Sequence, residues 1–262
     1  MGARAIISDI HGNLEALRTV LDTIDKLDHV DEVVCLGDIV GYGPWPKECV
    51  DTIRERCEWC LCGNHDVALL SQAFGFNRLA KDAIDWQRKE LKPKHPFAFA
   101  NKNRWRFLEG LYDRRIENDH EDIYVHASPR DPVMEYVEES DCADMGFGPG
   151  EKIVEIMSLI KKICFVGHSH RPGIVTAECK WISPADLPDG KYTIPEGSKA
   201  LCNIGSVGQP RDEDSRSCFV TYDLDRTVQF HRVEYDIDKV IETIKTIPQL
   251  HVRLGERLKL GK

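Results

Sequence analysis

The sequence predicts an α/β fold in one domain, residues 1–262, with two sheets in contact and helices outside. Two observations predict it. Between residues 3 and 66 the chain alternates apolar strand, polar loop and amphipathic helix, and each strand ends in polar residues. After about residue 171, short runs rich in Val, Ile, Thr and Tyr are broken by Gly, Pro and Asp, the pattern of mostly antiparallel sheet. A length of 262 residues suits one large core and is short for two full domains.

The elements follow in order. Residues 3–8 form an apolar run ending at Asp9. Leu14, Leu17, Leu21 and Ile24 recur at helical spacing, which predicts a helix over 13–27. Val33-Val34-Cys35-Leu36 reads as a buried strand ending at Gly37-Asp38, and Gly41, Gly43, Pro44 and Pro46 then make a loop. A second helix carries Val50, Ile53 and Cys57 on one face, and a strand over 59–62 stops at Gly63-Asn64-His65-Asp66. Residues 67–118 read as mainly helical, either a cap over the site or plain scaffold. A strand over 122–125 ends at His126, a helix covers 151–161, and a strand over 163–166 ends at Gly167-His168. Strands are expected at 173–178, 191–194, 199–203, 217–223 and 227–233, and a helical pattern at 237–260.

Composition narrows the function classes. A net charge of -9 argues against sequence-independent nucleic-acid binding, which needs clustered Lys and Arg. No stretch approaches the ~18 apolar residues that span a bilayer, and the start of the chain runs straight into Asp9 without the apolar region of a signal peptide. The expectation is a cytoplasmic protein with no membrane partner; oligomeric state is not legible. Of ten cysteines only Cys57, Cys60 and Cys62 cluster, without the second Cys or His pair of a structural zinc site. They read as buried thiols.

Five segments carry the chemistry: Asp9-Ile10-His11-Gly12-Asn13, Gly37-Asp38, Gly63-Asn64-His65-Asp66, His126, and Gly167-His168-Ser169-His170. Each follows an apolar strand, and together they hold five of the ten histidines. In an extended segment alternate residues share a face, so Asp-x-His and His-x-His are expected to clasp a cation from opposite sides. Mixed carboxylate and imidazole donors suit Mn, Fe, Co, Ni or Zn.

In this order and spacing the segments resemble the calcineurin-like metallophosphoesterase superfamily, closest to its small bacterial phosphoesterases. The run from Asn203 to Asp212 extends the resemblance. It implies a four-layer α/β/β/α sandwich of two mixed sheets flanked by helices. It also implies a dinuclear centre of divalent or mixed-valence transition metals. Asp9, His11 and His170 would bind one metal, and Asn64, His126 and His168 the other. Asp38 would bridge them, His65 would face the leaving oxygen as general acid, and Asp66 would orient His65. Two cations about 3.5–4 Å apart can share a hydroxide nucleophile and clamp phosphoryl oxygens.

Departures bear on substrate. Protein Ser/Thr phosphatases of the superfamily carry Asp-Arg-Gly after Gly-Asp and Arg before Gly-Asn-His; here Ile39-Val40 follows Asp38, and Cys62 precedes Gly63. A phosphodiester or small phosphomonoester is therefore preferred over a phosphoprotein. Asn13, Arg130 and Arg211 are candidate substrate contacts, with surface placement the alternative for each arginine. The rival function is a scaffold that kept the fold without catalysis.

Overall fold

A computed structural model describes every residue except 1, 74, 112–115, 144, 145 and 147. Twelve strands are described: β1 (Ala3–Ile7), β2 (Val30–Cys35), β3 (Trp59–Cys60), β4 (Ile116–Asp119), β5 (Asp122–Val125), β6 (Ile163–Val166), β7 (Gly173–Thr176), β8 (Trp181–Ile182), β9 (Lys191–Thr193), β10 (Ala200–Asn203), β11 (Ser217–Tyr222) and β12 (Thr227–Val233). They form two six-stranded sheets, in the orders β3-β2-β1-β11-β12-β9 and β4-β5-β6-β10-β7-β8. Both are mixed. β1, β2 and β3 run parallel, while β11, β12 and β9 add antiparallel. β5, β6 and β10 run parallel, while β4, β7 and β8 add antiparallel.

β1 is apolar from Ala5 to Ile7 because both faces are covered there, while Arg4 near its start pairs with Glu32 and Asp119. Ile6 points into the layer between the sheets with Val34, Leu61, Phe165, Cys202 and Val220. Its neighbours Ala5 and Ile7 point the other way, onto the helices. Those helices are α1 (Leu14–Ile24), α2 (Pro46–Arg56), α3 (Asn64–Leu70), α4 (Arg78–Leu91) and α5 (Phe99–Leu111). α6 (Glu151–Ser158) covers the outer face of the second sheet through Ile153, Ile156 and Met157. The result is the expected sandwich of two mixed sheets flanked by helices.

Some boundaries differ from the sequence expectation. The 67–118 segment ends in a strand, β4, and its residues 74 and 112–115 lie outside the described residues. The helical pattern of 237–260 splits into α7 (Ile237–Lys245), α8 (Arg253–Glu256) and a 3-10 turn, Arg257–Leu260, with Pro248 in the break; proline lacks the amide a continuing helix needs. β10 pairs parallel to β6, an exception to the antiparallel pattern after 171. β8 is too short to leave a period in the sequence.

One half-buried histidine sits away from the candidate site. His231 on β12 stacks on Phe219 with centroids 4.5 Å apart, and its Nε2 lies 3.0 Å from Thr221 Oγ1. Burial pushes its pKa down to about 4. A folded pKa below the unfolded value of about 6.5 means that protonation favours the unfolded chain. Stability should therefore fall as pH drops from about 6.5 towards 4, by on the order of 2–3 kcal/mol from this group. The urea midpoint of His231→Gln, compared with wild type at pH 7 and pH 4.5, should show the smaller acid loss.

Candidate metal centre

Asp9, Asp38, Asn64, His126 and His168 follow the C-terminal ends of β1, β2, β3, β5 and β6, so the parallel strands of both sheets deliver them to one edge. The local conformation is not the expected extended one. Asp9, His11, Asp38, His168 and His170 all adopt positive φ, between 51° and 64°. The clasp is built from left-handed loop residues, each of which costs on the order of 1–3 kcal/mol and persists only where its surroundings hold it. Here backbone bonds hold it. Asp9 N–H donates to Gly37 O at 3.0 Å, and His11 N–H to Asp38 O at 2.9 Å. Gly208 N–H and Ser206 Oγ both donate to Asp9 O at 2.9 Å.

Three groups of donor atoms gather within 4.8 Å of one another: Asp9, His11 and His170; His11, Asp38 and His65; and Asp38, His126 and His168. All these side chains are buried. Asp38 belongs to two groups: its Oδ2 lies 3.7 Å from His11 Nε2 and 3.5 Å from His126 Nε2. Asn64 Oδ1 stands 3.2 Å from His126 Nε2.

The imidazole tautomers decide what the groups can hold. His11 Nδ1 faces Val40 O at 2.9 Å, His170 Nδ1 faces Gln209 O at 2.5 Å, and His126 Nδ1 faces Leu36 O at 3.1 Å. A carbonyl only accepts, so each Nδ1 carries the proton and each Nε2 presents a lone pair. His168 is reversed, with Nε2 on Met134 O at 3.1 Å. His11 Nε2 and His170 Nε2 then face each other at 3.1 Å with no proton between them. Asp9 Oδ1, 3.2 Å from His170 Nε2, has no hydrogen-bond donor although it is buried. Lone pairs converging on lone pairs in this way suit a bound cation. Burial pushes the His11, His65 and His170 pKa values well down and that of His126 to about 3, which keeps the rings neutral, the form a metal ligand needs. Burial, then Asp66 and Asp9, pushes Asp38 well up.

His65 and Asp66 part company. His65 is buried with its Nδ1 unpartnered, and its ring packs against His11, Tyr42 and Phe76 at centroid distances of 4.7 Å. The Asp66 carboxylate does not orient that ring. It accepts the amides of Gly63 at 3.0 Å, Asp38 at 2.8 Å, Ile39 at 3.1 Å and Val40 at 3.3 Å. Asp66 thus anchors the loop that carries Asp38, because three amides after β2 and that of Gly63 after β3 need an acceptor. Burial raises its pKa to about 7 against the pull of those amides.

The three candidate substrate contacts separate as well. Asn13 is spent on structure: Oδ1 caps α1 through Ala16 N–H at 3.2 Å, and Nδ2 donates to Gly208 O at 2.9 Å. Arg130 is exposed and pairs with Glu135 and Glu155, so its charge is already met. Arg211 does sit at the centre. Its amide donates to His170 O at 3.2 Å, and its guanidinium lies 5.9 Å from the Tyr42 ring.

Several site residues have no sequence motif. Gln87 on α4 is fully buried; its Oε1 accepts Gly41 N–H at 2.6 Å and its Nε2 donates to Gly43 O at 2.7 Å. The helical segment therefore fixes the loop against His65. Tyr136 stacks on His168 at 3.9 Å. Only the Gly-Tyr-Gly run hinted at tight packing. A Cβ on Gly41, at φ +98°, would meet His65 Nδ1 at 2.3 Å. Gly41→Ala should displace the His65 ring and cost about 1–3 kcal/mol of stability. Turnover should collapse while metal content, read by elemental analysis, stays. The cysteine cluster joins none of the donor groups found among the described residues; burial, with Cys35 beside it, pushes the Cys60 thiol well up.

Comparison with known proteins agrees with this geometry. The chain is 39% identical over 264 residues to an uncharacterized protein of Methanocaldococcus jannaschii, covering 98% of each. A symmetrical bis(5'-nucleosyl)-tetraphosphatase of Paracidovorax citrulli is 40% identical over 113 residues, 35% of this chain and 39% of that protein. The crystal structure of a metallophosphoesterase from Sphaerobacter thermophilus superposes with a TM-score of 0.81 at 30% identity, over 100% of this chain and 99% of the other. The family model described as calcineurin-like phosphoesterase matches residues 4–172, the stretch that holds every donor of the three groups, and the chain belongs to that family.

Proposed function

We propose that this chain is a metal-dependent hydrolase of phosphoesters, acting on a phosphodiester or small phosphomonoester through two cations. The observation that carries the reading is Asp38 Oδ2, placed between the Nε2 atoms of His11 and His126. One carboxylate shared by two donor groups is the arrangement that keeps two like charges close.

Asp9, His11 and His170 would hold one cation, Asn64, His126 and His168 the other, and Asp38 both. Two divalent cations there would lower the pKa of water towards neutrality and neutralise charge growing on the phosphoryl oxygens. The chain's own residues do the rest. Asp66 holds the Asp38 loop through three amides and ties it to Gly63 through a fourth. Gln209 O and Val40 O keep His170 and His11 in the tautomer that points a lone pair inward. His65, with Nδ1 unspent on the protein, would face the leaving oxygen; its ring is neutral in the empty site, so it would act as the acid only once the anionic substrate favours its protonated form.

The test is purified protein with Mn, Fe, Co, Ni or Zn on mono- and bis-(p-nitrophenyl) phosphate. Turnover with at least one metal is expected, with the diester favoured. No turnover with any of them overturns the reading. Metal that fails to bind even after supplementation points instead to a scaffold.

A further inference from the structure

The four histidines read as ligands are not held alike. The carbonyls that fix His11, His126 and His170 belong to Val40, Leu36 and Gln209, all buried in the fold. The carbonyl that fixes His168 belongs to Met134, which is 52% exposed. Tyr136, 44% exposed, lies on the same imidazole, with the two planes 24° from parallel. His168 is buried, yet it takes its orientation from a surface segment.

That segment has little main-chain support. Met134 N–H donates to Asp131 Oδ1 at 3.1 Å, and Glu138 N–H donates to Asp141 Oδ2 at 2.9 Å. Between them the amides of Glu135, Tyr136 and Val137 reach no acceptor among the described residues. Backbone with so few bonds opens easily unless side chains tie it down. Val133 and Val137 are buried, and Glu135 between them is the polar tie. Its carboxylate accepts the Ser128 hydroxyl and a fork from Arg130, whose Nε lies 3.2 Å from Oε2. Ser128 is fully buried, and its Oγ accepts the amides of Arg130 and Asp131, both at 3.1 Å. Arg130 reaches on to Glu155 of α6. Ser128 stands two residues after His126. The tie therefore runs from His126 through Ser128 and Glu135 to His168, two histidines assigned above to one cation.

We propose that Glu135 is a positioning residue of the Asn64–His126–His168 site. It touches neither cation nor substrate. It clamps residues 133–137 onto the loop after His126, and so sets where Met134 O and Tyr136 meet His168. This rests on the two-cation reading for the metal, not for the hold on His168. A neutral imidazole left free exchanges its proton between Nδ1 and Nε2, whereas a carbonyl on Nε2 keeps Nδ1 bare for a metal. The rings of His11 and His170 are fixed by other carbonyls, so loss of the tie should weaken one site and spare the other.

Two measurements test it. Long-range proton–nitrogen spectra of the metal-free protein, near neutral pH, read the tautomer of each histidine; the His168 signal is identified by its loss in His168→Gln. Wild type should show His168 with its proton fixed on Nε2. In Glu135→Gln and Tyr136→Ala its two ring-nitrogen shifts should draw together as the tautomers exchange, while His11 and His170 stay fixed on Nδ1. Tyr136→Phe, which keeps the ring, should leave His168 as in wild type. In the second measurement manganese is titrated into metal-free protein and the free ion is read by electron paramagnetic resonance. Glu135→Gln should weaken one of two sites by about 10–100-fold, the range for partners that support metal ligands, and leave the other within about twofold. A His168 signal unchanged in both Glu135→Gln and Tyr136→Ala, or two manganese sites that weaken equally or not at all, overturns the proposal. Fewer than two manganese sites in wild type would count against the two-cation reading alone, because the metal-free spectra still judge the hold on His168.

Discussion

Asp38→Ala should empty the centre of metal altogether, not halve it. The Asp38 carboxylate is shared between the His11 side and the His126 side, so its loss weakens both donor groups at once. Affinity should fall by more than the about 10–100-fold seen for partners that only support ligands. Elemental analysis after dialysis should show near-zero occupancy, and activity should vanish with it. The thermal readout separates this from simple misfolding. A ligand present at about 1,000 times its dissociation constant stabilises the folded state by about 4 kcal/mol. Added metal should therefore raise the Tm of wild type and leave that of Asp38→Ala unmoved. The metal-free variant should fold, because removing Asp38 relieves its repulsion with Asp66 and Asp9 and orphans one amide, that of His65. A variant that retains one full metal equivalent would mean that Asp38 serves a single site.

His65→Ala should do the opposite: metal stays and turnover goes. A positioned acid contributes typically about 10²–10⁴-fold, and that is the expected loss in kcat. The loss should be smallest for esters with a good leaving group, such as p-nitrophenol, and largest for an alkyl alcohol, because only the poor leaving group needs the proton. His65 is also one of a donor group with His11 and Asp38, so metal content is the deciding measurement. Metal lost in parallel with activity would make His65 a ligand instead.

The strand-end motifs are legible through their recurrence, since a single Asp or His at a strand end is as readily a cap. Asp, His and Asn following five apolar strands announce a site, and the parallel strands of β1–β3 and β5–β6 bring them to one edge as the pattern required. The reason first given for the Asp-x-His pairs was wrong, since Asp9 and His11 turn through left-handed conformations rather than alternating along a strand. The family resemblance implies Asp66 as the partner that orients His65. On the first turn of α3 its carboxylate instead faces the amides of Gly63 and the Asp38 loop.

The sequence by itself determined the fold class and the donor types, because the burial period and the strand-end polar residues are local and survive without knowledge of contacts. Only the tertiary structure decided which donors share Asp38, which imidazole nitrogen is free, and which arginine is unspent. Each of those depends on a partner far away in the chain: Leu36 O on His126, Gln209 O on His170, Gln87 on Gly41, Glu155 on Arg130. A hydrogen bond reaches about 3 Å in space and carries no trace in sequence separation. The local pattern could mark Asn13, Arg130 and Arg211 alike, and only packing showed two of them committed elsewhere and Arg211 left facing the centre.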